Sequence, residues 1–142
     1  MAGSGNILLA FDGSAQSIKA LDEAVRLAKG LKMSLIVLHV YWNEGADAYI
    51  DPKMIATEEM DVEGRIMFEK LDKRLKDSGV DYRLVSERST DAPQTIIEMA
   101  EKKNCEMIIV GNRGVGRVRG FILGSVAEKV ATGSKRSVLI VK

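Results

Sequence analysis

Short apolar runs that alternate with segments of helical period constrain this chain more than any other feature of its sequence. Asn6 to Phe11 is almost continuously apolar and stops at Asp12-Gly13-Ser14, which suits a central parallel strand buried on both faces and ending in a turn. Ser14 is suited to cap a helix in which Ile18, Leu21, Ala24, Val25 and Ala28 recur at helical spacing until Gly30 ends the pattern. Ser34 to Val40 is a second apolar strand. A charged helix follows over residues 57–78, with Met60, Met67, Leu71 and Leu75 on one stripe and Gly79 as its stop; its methionines read as core filler. Asp81 to Arg88 alternates, which predicts an edge strand with one face in water. Asp91 as cap and Pro93 in the first turn open a third helix carrying Ile96, Ile97, Met99 and Ala100, so capping explains the Asp91 carboxylate better than catalysis. Glu106 to Val110 is the fourth strand, Ser125 to Gly133 the fourth helix and Ser137 to Val141 the fifth strand.

Five strands alternating with four helices imply an α/β fold, a single doubly wound sandwich whose mostly parallel sheet has helices on both faces and right-handed crossovers. In such a sheet ligands sit beyond the carboxyl ends of the strands where the strand order reverses. The segment from Tyr41 to Ala56 has no clear period. It reads either as one wall of a pocket, since it leaves the same end of the sheet as the Asp12 turn, or as an irregular linker.

The stretch Gly111-Asn112-Arg113-Gly114-Val115-Gly116-Arg117-Val118-Arg119-Gly120-Phe121-Ile122-Leu123-Gly124-Ser125 joins the fourth strand to a helical pattern beginning at Val126. Strand, glycine-rich loop and helix start is the arrangement that phosphate binding needs: glycines let successive N–H groups converge on an anion, and the first free N–H groups of the helix add to the same field. The Ser125 hydroxyl is available either to cap that helix or to bond a phosphate oxygen. Alone, such a loop is weak evidence, since five glycines in fifteen residues also suit a surface turn; the strand before it and the helix after it supply the context that the motif requires. It lacks the Gly-Lys-[Ser/Thr] of a Walker loop and the Gly-x-Gly-x-x-Gly of a dinucleotide fold. Arg113, Arg117 and Arg119 place three guanidinium groups within seven residues, a chemistry that suits phosphate oxygens and equally a solvated surface, an acidic partner or RNA. Arg113, in the tightest part of the loop, is the first choice for a phosphate contact.

Composition sets outer bounds. The chain has 142 residues, 46% of them apolar, material for one domain with a substantial core. Met1 to Gly5 is expected to be a tail before a domain spanning residues 6–142. Twenty-one basic against 20 acidic residues give a net charge of +1, so no global field argues for nucleic acid or an anionic membrane as the main partner. The apolar runs fall far short of the roughly 18 to 20 residues a membrane span needs. The absence of a signal pattern in the first residues and the single cysteine, Cys105, fit a cytoplasmic setting. Cys105 reads as a small packing residue and His39, the only histidine, as a packed, hydrogen-bonded one; a lone histidine makes a multi-histidine metal site impossible.

Read as spacings, the glycine stretch is Gly111-x2-Gly114-x9-Gly124-Ser125. This resembles the signature of the ATP-binding branch of the universal stress protein family, and the resemblance runs from Asn6-Ile7-Leu8-Leu9-Ala10-Phe11-Asp12-Gly13-Ser14 to Ser137-Val138-Leu139-Ile140-Val141. It implies strand order 3-2-1-4-5, which sets the Asp12 turn opposite the Gly111 loop. It further implies that Ala10 and Asp12 flank the nucleoside, that the backbone of Val40 reads the adenine edge, and that Gly111 lies near the ribose. Asn112, Arg113, Gly114, Val115, Gly116 and Arg117, with Gly124, Ser125 and Val126, match the triphosphate cradle. Asp12 is a candidate ligand for a Mg²⁺ ion shared with the phosphates, or else a turn residue capping the first helix. One departure is Ser137, where relatives commonly carry a proline before the last strand. The resemblance implies ATP, with Mg²⁺, as ligand and a homodimer paired through residues 137–141.

The function expected is that of a nucleotide-dependent regulatory dimer in a stress response. Dedicated catalysis is not expected, because no general base adjoins the loop and no lysine stands at a P-loop position. The alternatives are a slow Mg²⁺-dependent ATP hydrolase using Asp12, or a protein-interaction module with vestigial nucleotide affinity.

Overall fold

The computed structural model describes residues 5–41, 60–112 and 123–142. Its elements in chain order are β1 (Asn6–Ala10), α1 (Ala15–Leu31), β2 (Ser34–Tyr41), α2 (Met60–Lys76), β3 (Tyr82–Arg88), α3 (Ala92–Lys102), β4 (Cys105–Gly111), α4 (Ser125–Gly133) and β5 (Ser137–Val141). The strands form one sheet in the order β3-β2-β1-β4-β5, and every neighbouring pair is parallel. The expected order and layering are met. The expected segment 41–56, Thr57 and the side chain of Met60 lie outside the described residues, Tyr41 excepted.

Alternation along the strands divides the core in two. Ile7, Leu9 and Phe11 of the first strand and its exit, with Leu35, Val37 and Ile109, face α1 and α2, where they meet Ala20, Leu21, Ala24, Ala28, Leu71 and Leu75. Leu8, Ile36, Leu38, Ile108 and Val110 face α3 and α4 and meet Ile96, Met99, Ala100, Ala127 and Val130. Because β1 is covered on both faces, Ile7, Leu8 and Leu9 are all fully buried, which is why its sequence is a continuous apolar run rather than an alternating one.

Several local details differ from the expectation and have physical reasons. The helix α1 does not end at Gly30; it runs to Leu31 and closes on Lys32, whose φ of 57° lets its N–H reach the Ala28 and Lys29 carbonyls. Its buried face is Ser17, Ala20, Leu21, Ala24 and Ala28, and Ile18, off that stripe, remains 39% exposed. Small residues on the stripe let α1 lie close to the sheet. The polar member, Ser17, donates its hydroxyl to the Ser14 carbonyl at 2.9 Å, so its burial leaves no unmet donor. The start of α3 is as expected: Asp91 is the cap, accepting from the Gln94 N–H at 3.1 Å, with proline in the first turn.

The two open edges of the sheet differ. β3 is the edge that the alternation predicts, and Tyr82 secures it by donating its hydroxyl to the Asp72 carboxylate of α2. That hydrogen bond pushes the Tyr82 phenol up to about 12 and, with Lys76, holds the Asp72 carboxyl below its ordinary value. A carboxyl depressed by folding stabilises the fold above its unfolded pKa, and this contribution disappears as pH falls through the depressed value. Tyr82→Phe is therefore expected to move the Asp72 titration back toward the ordinary carboxylate range, measured by NMR of the carboxyl carbon. An unmoved titration would mean that Lys76 alone holds Asp72.

Candidate functional site

The strand order reverses between β1 and β4. From β1 the chain turns onto the face covered by α1, and after β4 it reaches α4 on the opposite face. Two adjacent strands that send their continuations to opposite faces leave a crevice between their carboxyl ends, and the predicted residues that the structure describes gather around it.

The β1 side is a tight turn. Asp12 is exposed and its Oδ1 accepts from the Ser14 N–H at 2.9 Å. Gly13 takes φ +85°, a region costly for a residue with a side chain. Ser14 caps α1 by accepting from the Ser17 N–H at 3.2 Å. The cap is thus Ser14 and not Asp12, whose carboxylate shapes the turn before the helix.

The floor is apolar. Ala10, Val40 and Leu123 are half-buried and pack on the core beneath α3 and α4. The backbone of Val40 is the polar part of this floor. The Leu38 carbonyl accepts from the Phe11 N–H at 2.9 Å, so Leu38 turns its peptide groups toward β1. Strand geometry repeats every two residues. Val40 therefore turns its N–H and C=O to the same side, one step past Ala10↔Leu38, the last pair in the β1–β2 register.

The β4 side is a closed loop base. Gly111 pairs with Val141 in the register, and the Asn112 N–H donates to the Val141 carbonyl at 2.8 Å. The Asn112 carbonyl in turn accepts from the Gly124 N–H at 2.9 Å, so the residues entering and leaving the glycine loop are bonded to each other. Gly124 then takes the cap position of α4 with φ −61° and ψ 149°, and among the described residues no side-chain cap bond is made there. This settles the role of the Ser125 hydroxyl with respect to capping: Ser125 is the first helical residue, and its hydroxyl is not the cap. Ser125 is exposed and Val126 is 39% exposed. Arg113, Gly114, Val115, Gly116, Arg117 and Arg119 lie outside the described residues.

Gly111 has a packing role that its sequence does not announce. A Cβ built there would lie 3.1 Å from the backbone carbon and Cβ of Gln16, because the first turn of α1 crosses directly over the end of β4. Gly111 thereby fixes the distance between the two sides of the crevice. Gln16 and the Phe11 carbonyl are contributors that sequence reasoning missed, and Leu123, inside the glycine stretch, was not singled out; Gln16 and Phe11 carry no motif, and only the crossing of α1 over β4 brings Gln16 to the site.

His39 faces away from this floor, as the alternation predicts. Its Nδ1 lies 3.2 Å from the Phe11 carbonyl, and since a carbonyl only accepts, Nδ1 carries the proton. The ring stacks on Tyr41 with centroids 6.2 Å apart and meets Phe68 edge-on at 6.4 Å. Cys105 is fully buried, and burial pushes its thiol up to about 11, which keeps it protonated and unreactive. Among the described residues no three His, Cys, Asp or Glu side chains form a metal-binding group. Among them, too, no helix is long and apolar enough to cross a membrane.

The fold defines a doubly wound α/β domain with a crevice at its topological switch point. The model of the universal stress protein family matches residues 3–142, and the chain belongs to that family. Universal stress protein YxiE of Bacillus subtilis is 32% identical over 149 residues, covering 96% of this chain and 97% of its own length. Among solved structures, a universal stress protein in complex with cAMP superposes with a TM-score of 0.72 at 26% identity, covering 97% of this chain and 98% of that one. Universal stress protein UspA from Lactobacillus plantarum shares the fold over the whole of both chains, with a TM-score of 0.79 at 21% identity.

The close approach at Gly111 yields a prediction. Gly111→Ala must push α1 from β4 by a few tenths of an ångström, an overpacking that costs about 1–3 kcal/mol, measured by urea unfolding of the variant beside the parent.

Proposed function

We propose that this chain is an ATP-binding member of its family, a regulatory dimer whose nucleotide occupancy alters the loops around the crevice. The observation that carries this reading is the start of α4: a nine-residue helix with no side-chain cap among the described residues, beginning after Gly124, which is bonded to Asn112 at the end of β4. Uncapped N–H groups at a helix start favour an anion. The half-buried floor of Ala10, Val40 and Leu123 suits a flat apolar base, and the Val40 peptide supplies a donor and an acceptor suited to the adenine edge. Asn112, Gly111, Ser125 and Val126 would border the sugar and phosphates, and the loop residues Arg113, Gly114, Val115, Gly116 and Arg117 would close over them. The cAMP complex of the family relative supports adenine nucleotide as the ligand class. The exposed Asp12 carboxylate fits a Mg²⁺ ion held mainly by phosphate oxygens. Binding rather than turnover is the expected activity, since the described crevice supplies one carboxylate and no histidine that faces it.

Acid release from freshly purified protein, followed by calorimetric titration of the emptied protein with ATP and Mg²⁺, tests this directly. Binding is expected in the parent and a loss of at least tenfold in Gly114→Val. The absence of both retained nucleotide and binding heat would overturn the nucleotide reading and favour a protein-interaction module. Metal-dependent hydrolysis abolished by Asp12→Ala would instead favour the hydrolase.

The dimer reading rests on β5. Val138, Leu139, Ile140 and Val141 are half-buried aliphatic residues on an open edge, the kind of edge that a soluble chain must cover. The Val141 carbonyl faces β4, so Val138 and Ile140 turn their peptide groups outward. Val138→Pro removes one outward donor and leaves the β4 ladder intact. It is expected to shift the sedimentation coefficient from dimer to monomer; a parent chain that already sediments as a monomer refutes the pairing.

A further inference from the structure

We infer that His39 is a positioning residue for nucleoside binding, acting through the Phe11 carbonyl on the Asp12 turn. The inference rests on the nucleotide reading of the crevice. Phe11 is the last residue before the turn, and β2 holds its peptide groups twice: the Phe11 N–H donates to the Leu38 carbonyl at 2.9 Å, and the His39 Nδ1–H donates to the Phe11 carbonyl at 3.2 Å. The carbonyl of Phe11 and the N–H of Asp12 belong to one rigid peptide plane. Fixing the first therefore fixes the direction of the second, and with it the entry into a turn that contains Gly13 at φ +85°.

A backbone ladder would ordinarily hold a carbonyl in this position. Here β1 ends at Ala10; the Phe11 N–H still bonds the β2 backbone, but the Phe11 carbonyl is held by a side chain, the His39 ring. The ring is itself held, between Tyr41 on its own strand and Phe68 of α2. From the same helix the Met67 Sδ lies 3.5 Å from where a Gly13 Cβ would be. The turn is thus backed by β2 from beside and by α2 from behind. His39 is also the residue before Val40, whose peptide faces the crevice. A single ring thus joins the two chain segments that would contact the base and sugar, without itself touching either. The start of α4 is instead bonded, through Gly124, to Asn112 at the end of β4.

That division gives the test. His39→Phe keeps a ring between Tyr41 and Phe68 but lacks the donor; His39→Asn places an amide N–H close to the lost Nδ1–H. ATP and inorganic tripolyphosphate are titrated by calorimetry into the parent and both variants, with thermal unfolding as the measure of fold. The expected result is an affinity for ATP lowered about tenfold in His39→Phe, the scale of one lost hydrogen bond, recovery of most of it in His39→Asn, and unchanged affinity for tripolyphosphate in both. Should His39→Phe fail to fold, His39→Gln, whose amide reaches toward the Nε2 position instead, replaces it with the same expectation. Equal loss for ATP and tripolyphosphate, unchanged ATP affinity in the variant without the donor, or no recovery with asparagine overturns the positioning role and leaves the nucleotide reading standing. A parent chain that binds no ATP overturns both.

Discussion

The sheet depends on β1 having no free side. Its backbone is bonded to β2 on one edge and β4 on the other, and its side chains enter both cores. The middle of a strand so placed, Ile7 to Leu9, contributes nothing to the surface, and its residues must satisfy two packing environments at once. Every other element is arranged relative to it: α1 and α2 bury one face of the sheet, α3 and α4 the other, and the two edge strands stand two places away on either side. The hydrophobic burial at this centre is what makes the remaining geometry rigid enough to hold a site.

The crevice is a consequence of that centrality rather than an addition to it. Because β1 and β4 are neighbours whose continuations leave for opposite faces, the sheet cannot close over their ends, and the exposed peptide groups there must be met by turns, caps or ligands. On the β1 side the molecule meets them internally, through Asp12, Ser14 and His39. On the β4 side the described residues do so at the loop base, between Asn112 and Gly124, and among them the start of α4 has no side-chain cap. The two lips of the crevice therefore differ in character: one is finished by the protein's own side chains, the other presents donors.

Much of this was legible in the sequence because it follows from period and punctuation. The almost continuous apolar run from Asn6 to Phe11 declared a strand buried on both faces, the alternation of Asp81 to Arg88 declared an edge, and Asp91 with Pro93 declared a helix start. Helix ends were less legible: Gly30 looked like a stop, yet Lys32 adopts the left-handed conformation that closes α1, since one strained residue is tolerated where the following strand fixes the chain's path. The crossing of α1 over Gly111 was not legible at all, because Gln16 and Gly111 are brought together by the packing of a helix on a sheet and no local pattern encodes that approach. For the same reason His39 read as a packed residue, correctly, while its bond to Phe11 needed the two strands side by side.

The bond between Gly124 and Asn112 also bears on how such a chain can change over time. It clamps the two ends of the intervening segment to each other independently of what lies between them. Lengthening a segment whose ends are already fixed costs little, about 0.6 kcal/mol for each doubling of its length. The clamp therefore insulates the folding of the sheet from the composition of the loop, and copies of this domain could exchange that loop for others, acquiring new ligands or losing the old one, while keeping the same core.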